Sequence, residues 1–574
     1  MNVLGINAYH GDASAAILVD GRIVAAVEEE RFTRVKHDTS FPLHSIRFCL
    51  DTANTKIEDI DHVALSRNPR ANLVRRASFA VGSRAGRAMA ADRGASLLKT
   101  MRARQTIAEG LGIPEKRLAA KVHFVEHHLA HIASAFYVSP FERSAVLSLD
   151  GFGDMISAMW GIGEGTKLRI MGEVGFPHSL GLYYTAFTQY LGFPHYGDEY
   201  KVMGLASYGE PEYMDEVRDV VRFDGSGYEL NLRYFRHQLD GVSMNWQGGP
   251  PTLGPVWGDG MTDAFGPARS GSDEPIEAHH KNIAHSMQKR LEEIVIEMTS
   301  ELARKSGLTS LCMAGGVALN CVANGRIRPD TPFDDLYIQP AAYDGGTSLG
   351  AACYVYHHKL GHPRREVLDS SYLGPEFSEH ECRQALETAG VSYRRLEDHE
   401  LFDHTAAGIA DGKIVGWFQG RLEFGPRALG NRSIVADPRR PEMKDILNAR
   451  IKRRESFRPF APSILESATG DYFEESYPSP FMLLTYDVKK DKQNVIPAPT
   501  HVDGTGRLQT VNGRQNPRYH ALISAFERKT GVPVVLNTSF NDNEPICTTP
   551  EQAIDTFKRT KMELLVLGNL VSER

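Results

Sequence analysis

A repeated strand-and-turn pattern constrains the fold of this chain more than any other sequence feature. The chain begins with an apolar run, a polar loop and a second apolar run that ends at the turn Asp20-Gly21. An Asp-Gly pair between apolar runs is a strong signal for a β-hairpin. The segment 144–151 (SAVLSLDG) repeats the order of apolar strand, acidic residue and glycine, and more strand follows as far as Ile162. The repetition predicts a duplicated α/β architecture.

The length of the chain predicts more than one domain. A chain of 574 residues exceeds what a single hydrophobic core normally holds. Periodicity lapses in a charged stretch with proline and glycine at 360–374. We therefore predict an N-terminal domain at 1–360 and a C-terminal α/β domain at 361–574.

Composition and charge exclude several classes of protein. Lys and Arg number 65 against 72 Asp and Glu, and this net charge of −7 argues against a protein that grips nucleic acid through its phosphates. The six cysteines form no CxxC pair, which favours a reducing compartment without disulfides. The start of the chain does not resemble a secretion signal, and no run of about 18 apolar residues occurs. We expect a cytoplasmic protein with no nucleic-acid or membrane partner.

The stretch 67–104 departs from this balance because it is strongly basic, with Asp92 as its one acid. Nucleic-acid binding is one interpretation of the stretch. The acidic charge of the whole chain favours the other interpretation, a solvated helical face or the rim of a cleft for an anionic substrate.

Two histidines and two aspartates form the first candidate site. His127 and His131 lie four residues apart in EHHLAHIASAFY, so on a helix their rings share one face. Chance is the alternative in a chain with 22 histidines. Asp150 and Asp344 each end a predicted strand and precede a glycine, which directs a carboxylate into a cleft. Such a set suits iron, manganese or zinc.

Several familiar motifs are excluded. A zinc protease needs glutamate directly after its first histidine, and His128 occupies that position. The sequence has no GxxxxGK[ST] motif and no GxGxxG motif after a strand. Instead, the glycines of AGGVALN at 314–320 follow an apolar strand and open a helix, where a nucleotide can approach the backbone. A tight β-to-α turn alone would also need them, but with the two hairpins this layout favours an actin/hexokinase-like ATPase.

The C-terminal part places arginines in turns rich in glycine and proline. Guanidinium groups with backbone and amide donors suit a multiply charged phosphate compound. Surface arginine is the alternative, although several of these arginines lie within apolar sequence, where an unpaired charge is costly. The candidates are Arg421, Arg427, Arg432, Lys452, Arg453, Arg454, Arg458, Arg507, Asn537, Thr538 and Ser539.

A set of motifs then indicates a family. The motifs are GINAYHGDASAA, EEERFTRVKH, HHLAHIASAFY, LDGFGD, KVMGLASYG, AGGVALN, DGGTSLGAA, GRLEFGPRALGNRS, RPFAPS and LNTSFND. Through them the chain resembles, over nearly its whole length, the carbamoyltransferases of the nodulation-protein-U and tobramycin-carbamoyltransferase family. The resemblance implies an actin-like N-terminal domain, similar to the tRNA threonylcarbamoyl-transfer protein, and a YrdC/Sua-like α/β C-terminal domain.

The same resemblance implies a two-step reaction. The C-terminal domain would form carbamoyl-adenylate from ATP and carbamoyl phosphate, and the N-terminal domain would pass the carbamoyl group to a hydroxyl of a small-molecule, secondary-metabolite acceptor. The implied carbamoyl-phosphate contacts are Arg427, Lys452, Arg458, Arg507, Asn537 and Ser539. The implied ligands of a divalent metal, Fe²⁺ in the site with Mg²⁺ accompanying ATP, are His127, His131, Asp150 and Asp344. The implied adenylate contacts are Gly181, Gly316 and Asn320.

His10 matches the position of a general base on the acceptor, and Lys36 that of a nearby cation. Gly11 separates His10 from Asp12, whereas some relatives place the histidine and aspartate side by side, so the register of the base stays open. The alternatives to O-transfer are N-carbamoylation, a nodulation-type oligosaccharide acceptor, a sugar kinase and a non-catalytic nucleotide-binding switch. The sequence also leaves open the acceptor, the native metal and a homodimer.

Overall fold

The computed structural model of the protein divides the chain into two compact units. Unit 1 is Met1–Leu368 and unit 2 is Asp369–Arg574, so the division lies inside the charged stretch 360–374. The residues that the structure describes are 1–82, 101–242, 244–245, 251–271 and 273–574.

Unit 1 contains two five-stranded sheets with the same strand order. Its strands are β1 (Asn2–Asn7), β2 (Ser14–Val19), β3 (Arg22–Glu28), β4 (His62–Leu65), β5 (Lys121–Phe124), β6 (Arg143–Gly153), β7 (Ile156–Glu164), β8 (Lys167–Gly175), β9 (Val221–Phe223), β10 (Tyr228–Leu230), β11 (Met244–Asn245), β12 (Thr252–Leu253), β13 (Ser310–Ala314) and β14 (Asp335–Ile338). The sheets run β3-β2-β1-β4-β5 and β8-β7-β6-β13-β14. In each, three antiparallel strands are followed by two strands parallel to the first. The predicted α/β class and its duplication are therefore confirmed, while the actin-like assignment stays a prediction.

The helices of unit 1 pack against these sheets. They are α1 (Glu30–Thr33), α2 (Leu43–Thr52), α3 (Leu73–Gly82), α4 (Ala103–Leu111), α5 (His127–Phe136), α6 (Leu180–Tyr190), α7 (Glu199–Ala206), α8 (Met214–Val220), α9 (His237–Asp240), α10 (Asp259–Phe265), α11 (Ala278–Ser306), α12 (Cys321–Asp330) and α13 (Thr347–Cys353). Helix α5 begins where the Glu126 side chain accepts a hydrogen bond from the Leu129 N–H. Helix α13 lies directly on α5, because a Cβ at Gly350 would come within 1.8 Å of the Ala130 carbonyl oxygen. The glycine therefore sets how closely the two helices approach.

Unit 2 has ten strands, eight of which form one mixed sheet. Its strands are β15 (Arg394–Arg395), β16 (Val415–Phe418), β17 (Arg432–Ala436), β18 (Ala461–Leu465), β19 (Thr485–Asp487), β20 (Thr505–Arg507), β21 (Gln509–Val511), β22 (Val534–Ser539), β23 (Leu564–Leu567) and β24 (Leu570–Glu573). The large sheet runs β15-β24-β23-β16-β17-β22-β18-β21. Its helices are α14 (Glu379–Thr388), α15 (Asp398–Ala410), α16 (Met443–Ile446), α17 (Thr469–Tyr472), α18 (Lys490–Gln493), α19 (Pro517–Thr530) and α20 (Pro550–Arg559). The YrdC/Sua-like assignment of this unit stays a prediction.

Two sequence expectations about the whole chain can be compared with the structure. All six cysteines are buried free thiols, as the absence of a disulfide framework predicts. Within the described ranges, none of the helices combines the length and the apolar character that crossing a membrane requires.

Candidate functional site

Four of the predicted side chains meet in unit 1. His127 and His131 come from α5, Asp150 lies in β6, and Asp344 opens a short 3₁₀ turn after β14. One ligand atom from each residue lies within 4.8 Å of all the others. Because β6, β13 and β14 are parallel, their carboxyl ends meet at one edge of the sheet, where α/β proteins commonly bind ligands.

The spacing of these four atoms suits a metal ion. The Nε2 atoms of His127 and His131 are 3.1 Å apart, and Asp150 Oδ2 lies 3.1 Å from His127 Nε2. Asp344 Oδ1 lies 3.4 Å from His127 Nε2 and 3.3 Å from His131 Nε2. Metal–ligand bonds of about 2.1 Å separate neighbouring donor atoms by roughly 3.0 to 3.4 Å. The set of two imidazoles and two carboxylates therefore fits a divalent metal in donor type and in spacing.

The charges of the cluster are strongly coupled. Burial alone would lower the pKa of His127, but the carboxylates of Asp344 and Asp150 raise it well above its usual range. Burial and Asp344 would raise the pKa of Asp150, yet its bonds to both histidines hold that pKa below its usual range. Without a metal the site therefore keeps ionised carboxylates beside imidazoles that favour the protonated form.

Neighbouring groups orient three of the four candidate ligands. His10 Nδ1 donates to Asp344 Oδ2 at 2.8 Å, and the Gly316 N–H donates to Asp150 Oδ1 at 2.8 Å. A Cβ at Gly153 would come within 1.9 Å of the His127 ring, so only glycine lets β6 lie against that imidazole. Hydrogen bonds from neighbouring groups to metal ligands fix the orientation of those ligands.

The remaining predicted residues of unit 1 have other surroundings. The amide of Asn320 pairs reciprocally with the amide of Gln288, at 2.8 and 3.1 Å, and also caps α12. Gly181 lies in the first turn of α6, where a Cβ would come within 2.7 Å of the Gly151 backbone. Lys36 lies beside Glu30, where burial raises the pKa of the Glu30 carboxyl but the charges of Arg31, His37 and Lys36 outweigh burial and lower it.

His37, Asp12 and Glu30 form a second polar cluster that the sequence does not predict. His37 Nδ1 lies 2.8 Å from Asp12 Oδ1, and the His37 backbone N–H donates to Glu30 at 3.0 Å. The motifs GINAYHGDASAA and EEERFTRVKH both belong to the set that indicates the family, but nothing in their spacing indicates that residues of one contact residues of the other. The signal that could have found the pair is the position of each polar residue at the end of a strand or in a tight turn.

The basic stretch is held by specific partners where the structure describes it. Arg76 donates to Asp154 at 2.8 Å, and Arg75 pairs with Glu173 at 2.7 Å. Arg104 donates to two backbone carbonyls, one of them that of Ala120 at 2.7 Å. Arg76 and Arg104 are therefore partly buried and paired within the protein, while Arg75 lies on the exposed surface. Arg84, Arg87, Arg93 and Lys99 lie outside the described residues.

In unit 2, Asn537 joins the segments that carry the predicted arginines. Its Nδ2 donates to the carbonyl of Ala428, next to Arg427, and to Gln509 Oε1, two residues after Arg507. The Asn537 side chain is buried, and its Oδ1 has no hydrogen-bond partner in the part of unit 2 that the structure describes. A buried acceptor of this kind is costly unless a ligand donates to it.

Lys452 is enclosed by protein oxygens. Its ammonium contacts the carbonyl oxygens of Ser539 and Asn541 at 2.6 and 2.8 Å, and also Asn541 Oδ1 at 2.7 Å. The lysine thus holds the loop after β22 that carries Ser539. Arg458 lies in the loop before β18, 3.4 Å from Glu455.

Two arginines of the candidate anion set are structural. Arg432 is fully buried, stacks on Phe418 with 3.7 Å between its Cζ and the ring centre, and donates to backbone carbonyls such as that of Asn431. Arg421 donates to the carbonyls of Gly374 and Leu373. An arginine inside apolar sequence can therefore be paired within the protein, and apolar context alone does not identify a ligand site.

Comparisons with known proteins agree with these two units. The family model described as carbamoyltransferase N-terminus matches residues 2–353, and the one described as carbamoyltransferase C-terminus matches residues 406–574. Among solved structures, the ROK hexokinase from Thermus thermophilus covers 63% of this chain and all of its own, at 13% identity and a TM-score of 0.28. A likeness at that level does not assign the fold.

Full-length relatives are also found. An uncharacterised Synechocystis protein, sll1178, is 42% identical over 99% of this chain and 96% of its own. Nodulation protein NolNO of Sinorhizobium fredii is 37% identical over 99% of this chain and 80% of its own. With both family models matched and relatives aligned over nearly the whole sequence, the chain belongs to the carbamoyltransferase family.

Proposed function

We propose that this protein is an O-carbamoyltransferase that acts through carbamoyl-adenylate. Unit 2 converts carbamoyl phosphate, ATP and water into carbamoyl-adenylate, pyrophosphate and phosphate. Unit 1 then transfers the carbamoyl group to a hydroxyl of a small-molecule acceptor and releases AMP. The observation that carries this proposal is the convergence of His127, His131 and two aspartates beside His10, in a chain of the carbamoyltransferase family.

The cluster of unit 1 is proposed to hold Fe²⁺, and ATP is proposed to bring Mg²⁺. When bound, the metal in the cluster supplies Lewis acidity and offsets the phosphate charge of the leaving group. Asp150 and Asp344 balance its charge, and their bonds to Gly316 and His10 keep both carboxylates oriented toward the centre of the cluster.

His10 is proposed to accept the proton of the acceptor hydroxyl. Its Nδ1 is occupied by Asp344, and its Nε2 is buried with no hydrogen-bond partner among the residues that the structure describes. Burial lowers the pKa of His10, although Asp344 opposes this effect, so the neutral ring is favoured near pH 7. As the acceptor oxygen bonds to the carbamoyl carbon and the bond from that carbon to the AMP oxygen breaks, Nε2 takes the proton.

Asn537 is proposed to recognise the carbamoyl amide in unit 2. Its buried Oδ1 offers an acceptor to an N–H of the substrate, while Arg427, Arg458 and Arg507 supply charge for phosphate. Lys452 acts indirectly, because its ammonium is bonded to the loop that carries Ser539.

The test is pyrophosphate release from ATP in the presence of carbamoyl phosphate and Fe²⁺, without an acceptor. We expect release that depends on carbamoyl phosphate and is lost in Arg458→Ala. Arg450→Ala is the matched control, since Arg450 belongs to the same segment but pairs with Glu563 at the surface. That variant should release pyrophosphate like the parent.

Other outcomes would replace this proposal. Formation of ADP with a sugar, independent of carbamoyl phosphate, would indicate a sugar kinase. Failure to release pyrophosphate with any of a panel of alcohols and amines would favour a nucleotide-binding switch. Carbamoylation of an amine in preference to an alcohol would change the assignment to N-transfer, and mass spectrometry of the product distinguishes the two.

A further inference from the structure

Asp154 is a fully buried carboxylate beside the metal cluster, four residues after Asp150. It lies in the turn between β6 and β7, where Asp154 has φ of +51° and Met155 has φ of +73°. Left-handed backbone is unfavourable for residues other than glycine, although aspartate tolerates it better than most. The fold therefore maintains an uncommon turn that directs this carboxylate inward.

The two oxygens of Asp154 have different partners. Oδ2 accepts from the backbone N–H of His127 at 3.2 Å and from that of Asn68 at 2.8 Å. Oδ1 accepts from Arg76 at 2.8 Å and lies 3.9 Å from Nε of Arg67. One side chain thus connects the first residue of the metal-binding helix to the start of the basic stretch.

The contact with His127 is not needed to cap the helix. Glu126 already serves as the side-chain cap of α5 through its bond from the Leu129 N–H. Asp154 engages the additional N–H of His127, while Gly153 lies against the ring of the same residue. The backbone and the imidazole of His127 are therefore both fixed by the turn after β6.

The basic stretch that Asp154 contacts begins close to His10, at the proposed site of transfer. Arg67 follows β4 by two residues, and His10 follows β1, the strand parallel and adjacent to β4. The carboxyl ends of parallel neighbouring strands lie at the same edge of a sheet. Asn72 adds a second connection, because its side chain donates to the Asp154 carbonyl oxygen at 2.8 Å.

We propose that Asp154 is a positioning residue that links metal binding by His127 to the placement of the segment 67–76. The carboxylate holds the backbone of His127 in place and, through Arg76, anchors the segment that carries Arg67, whose charge acts on His10. This inference rests on the proposed function in that it treats His127 as a metal ligand.

The test measures the affinity of the purified full chain for Co²⁺ through its visible absorption. We expect Asp154→Ala to bind Co²⁺ about 10- to 100-fold more weakly, the range typical of residues that hydrogen-bond to a metal ligand. Asp154→Asn should lose less, because its amide oxygen still accepts from backbone N–H groups. Glu173→Gln is the matched control: it breaks the ion pair of Arg75, adjacent to Arg76 on the same helix, and should bind Co²⁺ within about twofold of the parent.

A second variant separates the effect of Asp154 on metal binding from its effect on the segment 67–76. Arg76→Gln keeps the bonds from Asp154 to backbone N–H groups, so Co²⁺ affinity should stay close to that of the parent. It should nevertheless speed hydrogen exchange in a peptide that covers 66–76, whereas Arg75→Gln should not. If Asp154→Ala does not fold, Asp154→Asn and Arg76→Gln decide the question.

Two results would overturn the inference in distinguishable ways. Folded Asp154 variants that bind Co²⁺ as tightly as the parent would reduce the residue to a purely structural role while the proposed function stands. A parent protein that binds no Co²⁺ would overturn the metal site itself, and with it both proposals.

Discussion

His10 Nδ1 lies 2.8 Å from Oδ2 of Asp344, the aspartate whose other carboxylate oxygen faces His127 and His131. One carboxylate therefore joins the candidate base to the candidate metal. His10 follows a strand of one five-stranded sheet and Asp344 follows a strand of the other, so their contact connects the two sheets of unit 1.

Replacement of His10 should separate metal binding from transfer. In His10→Asn the amide can still donate to Asp344, but no group remains to take a proton. We expect transfer to fall by about 10² to 10⁴, with Co²⁺ affinity little changed. Pyrophosphate release in unit 2 should match the parent. Transfer at the parental rate in this variant would remove His10 from the mechanism.

Loss of a proposed ligand should weaken metal binding strongly. His131→Ala should weaken Co²⁺ binding by more than about 100-fold, beyond the effect typical of residues that only hydrogen-bond to a metal ligand. The matched control is His128→Gln, because His128 bonds to Ser148 and to the Ile156 carbonyl, each at 2.9 Å, within the core. Equal Co²⁺ affinities for the two variants would contradict the assignment.

Metal affinity should fall as the pH is lowered. Burial lowers the pKa of His127, but Asp344 and Asp150 raise it well above its usual range, so a proton competes with the metal near neutrality. Each displaced proton costs about tenfold in apparent affinity per pH unit. Co²⁺ titrations between pH 8 and pH 6 should show this slope, and a flat profile would contradict it.

Acid should destabilise the metal-free protein through His128. Burial lowers the pKa of His128 to about 3, whereas the pKa of a histidine in an unfolded chain is about 6.5. The neutral His128 side chain therefore makes its full contribution to the free energy of unfolding above the pKa of the unfolded chain. That contribution is lost as the pH falls toward the pKa of the folded protein, and the loss reaches about 2 kcal/mol by pH 5. His128→Gln should show a shallower loss between pH 7 and pH 5 in denaturant titrations with chelator present.

Lys452 should matter for folding as well as for activity. Lys452→Met leaves buried oxygens of Ser539 and Asn541 without their donor, which costs about 1 to 3 kcal/mol for each unsatisfied group. We expect a lower free energy of unfolding together with loss of pyrophosphate release. Lost release at unchanged stability would instead indicate direct contact with the substrate.

Local patterns predicted the elements of the site well. The Asp20-Gly21 turn connects β2 and β3, and the apolar strand predicted before the glycines of 314–320 is β13. His127 and His131 share a helix face because residues four apart always do. These features depend on residues close together in the chain, and their periodicity and turn chemistry are visible in the sequence.

The sequence by itself determined which side chains were candidates, although Asp150 lies within β6 and Asp344 lies six residues after β14, rather than at the strand ends that the sequence predicts. Only the tertiary structure decided which of them meet: that Asp344 faces His10, that Asp154 bonds both His127 and Arg76, and that Arg432 is structural. Such contacts depend on strand order and on packing between distant segments. A pattern of burial specifies that a residue lies inside, but the same pattern is compatible with many partners, and only the arrangement of the sheets selects one.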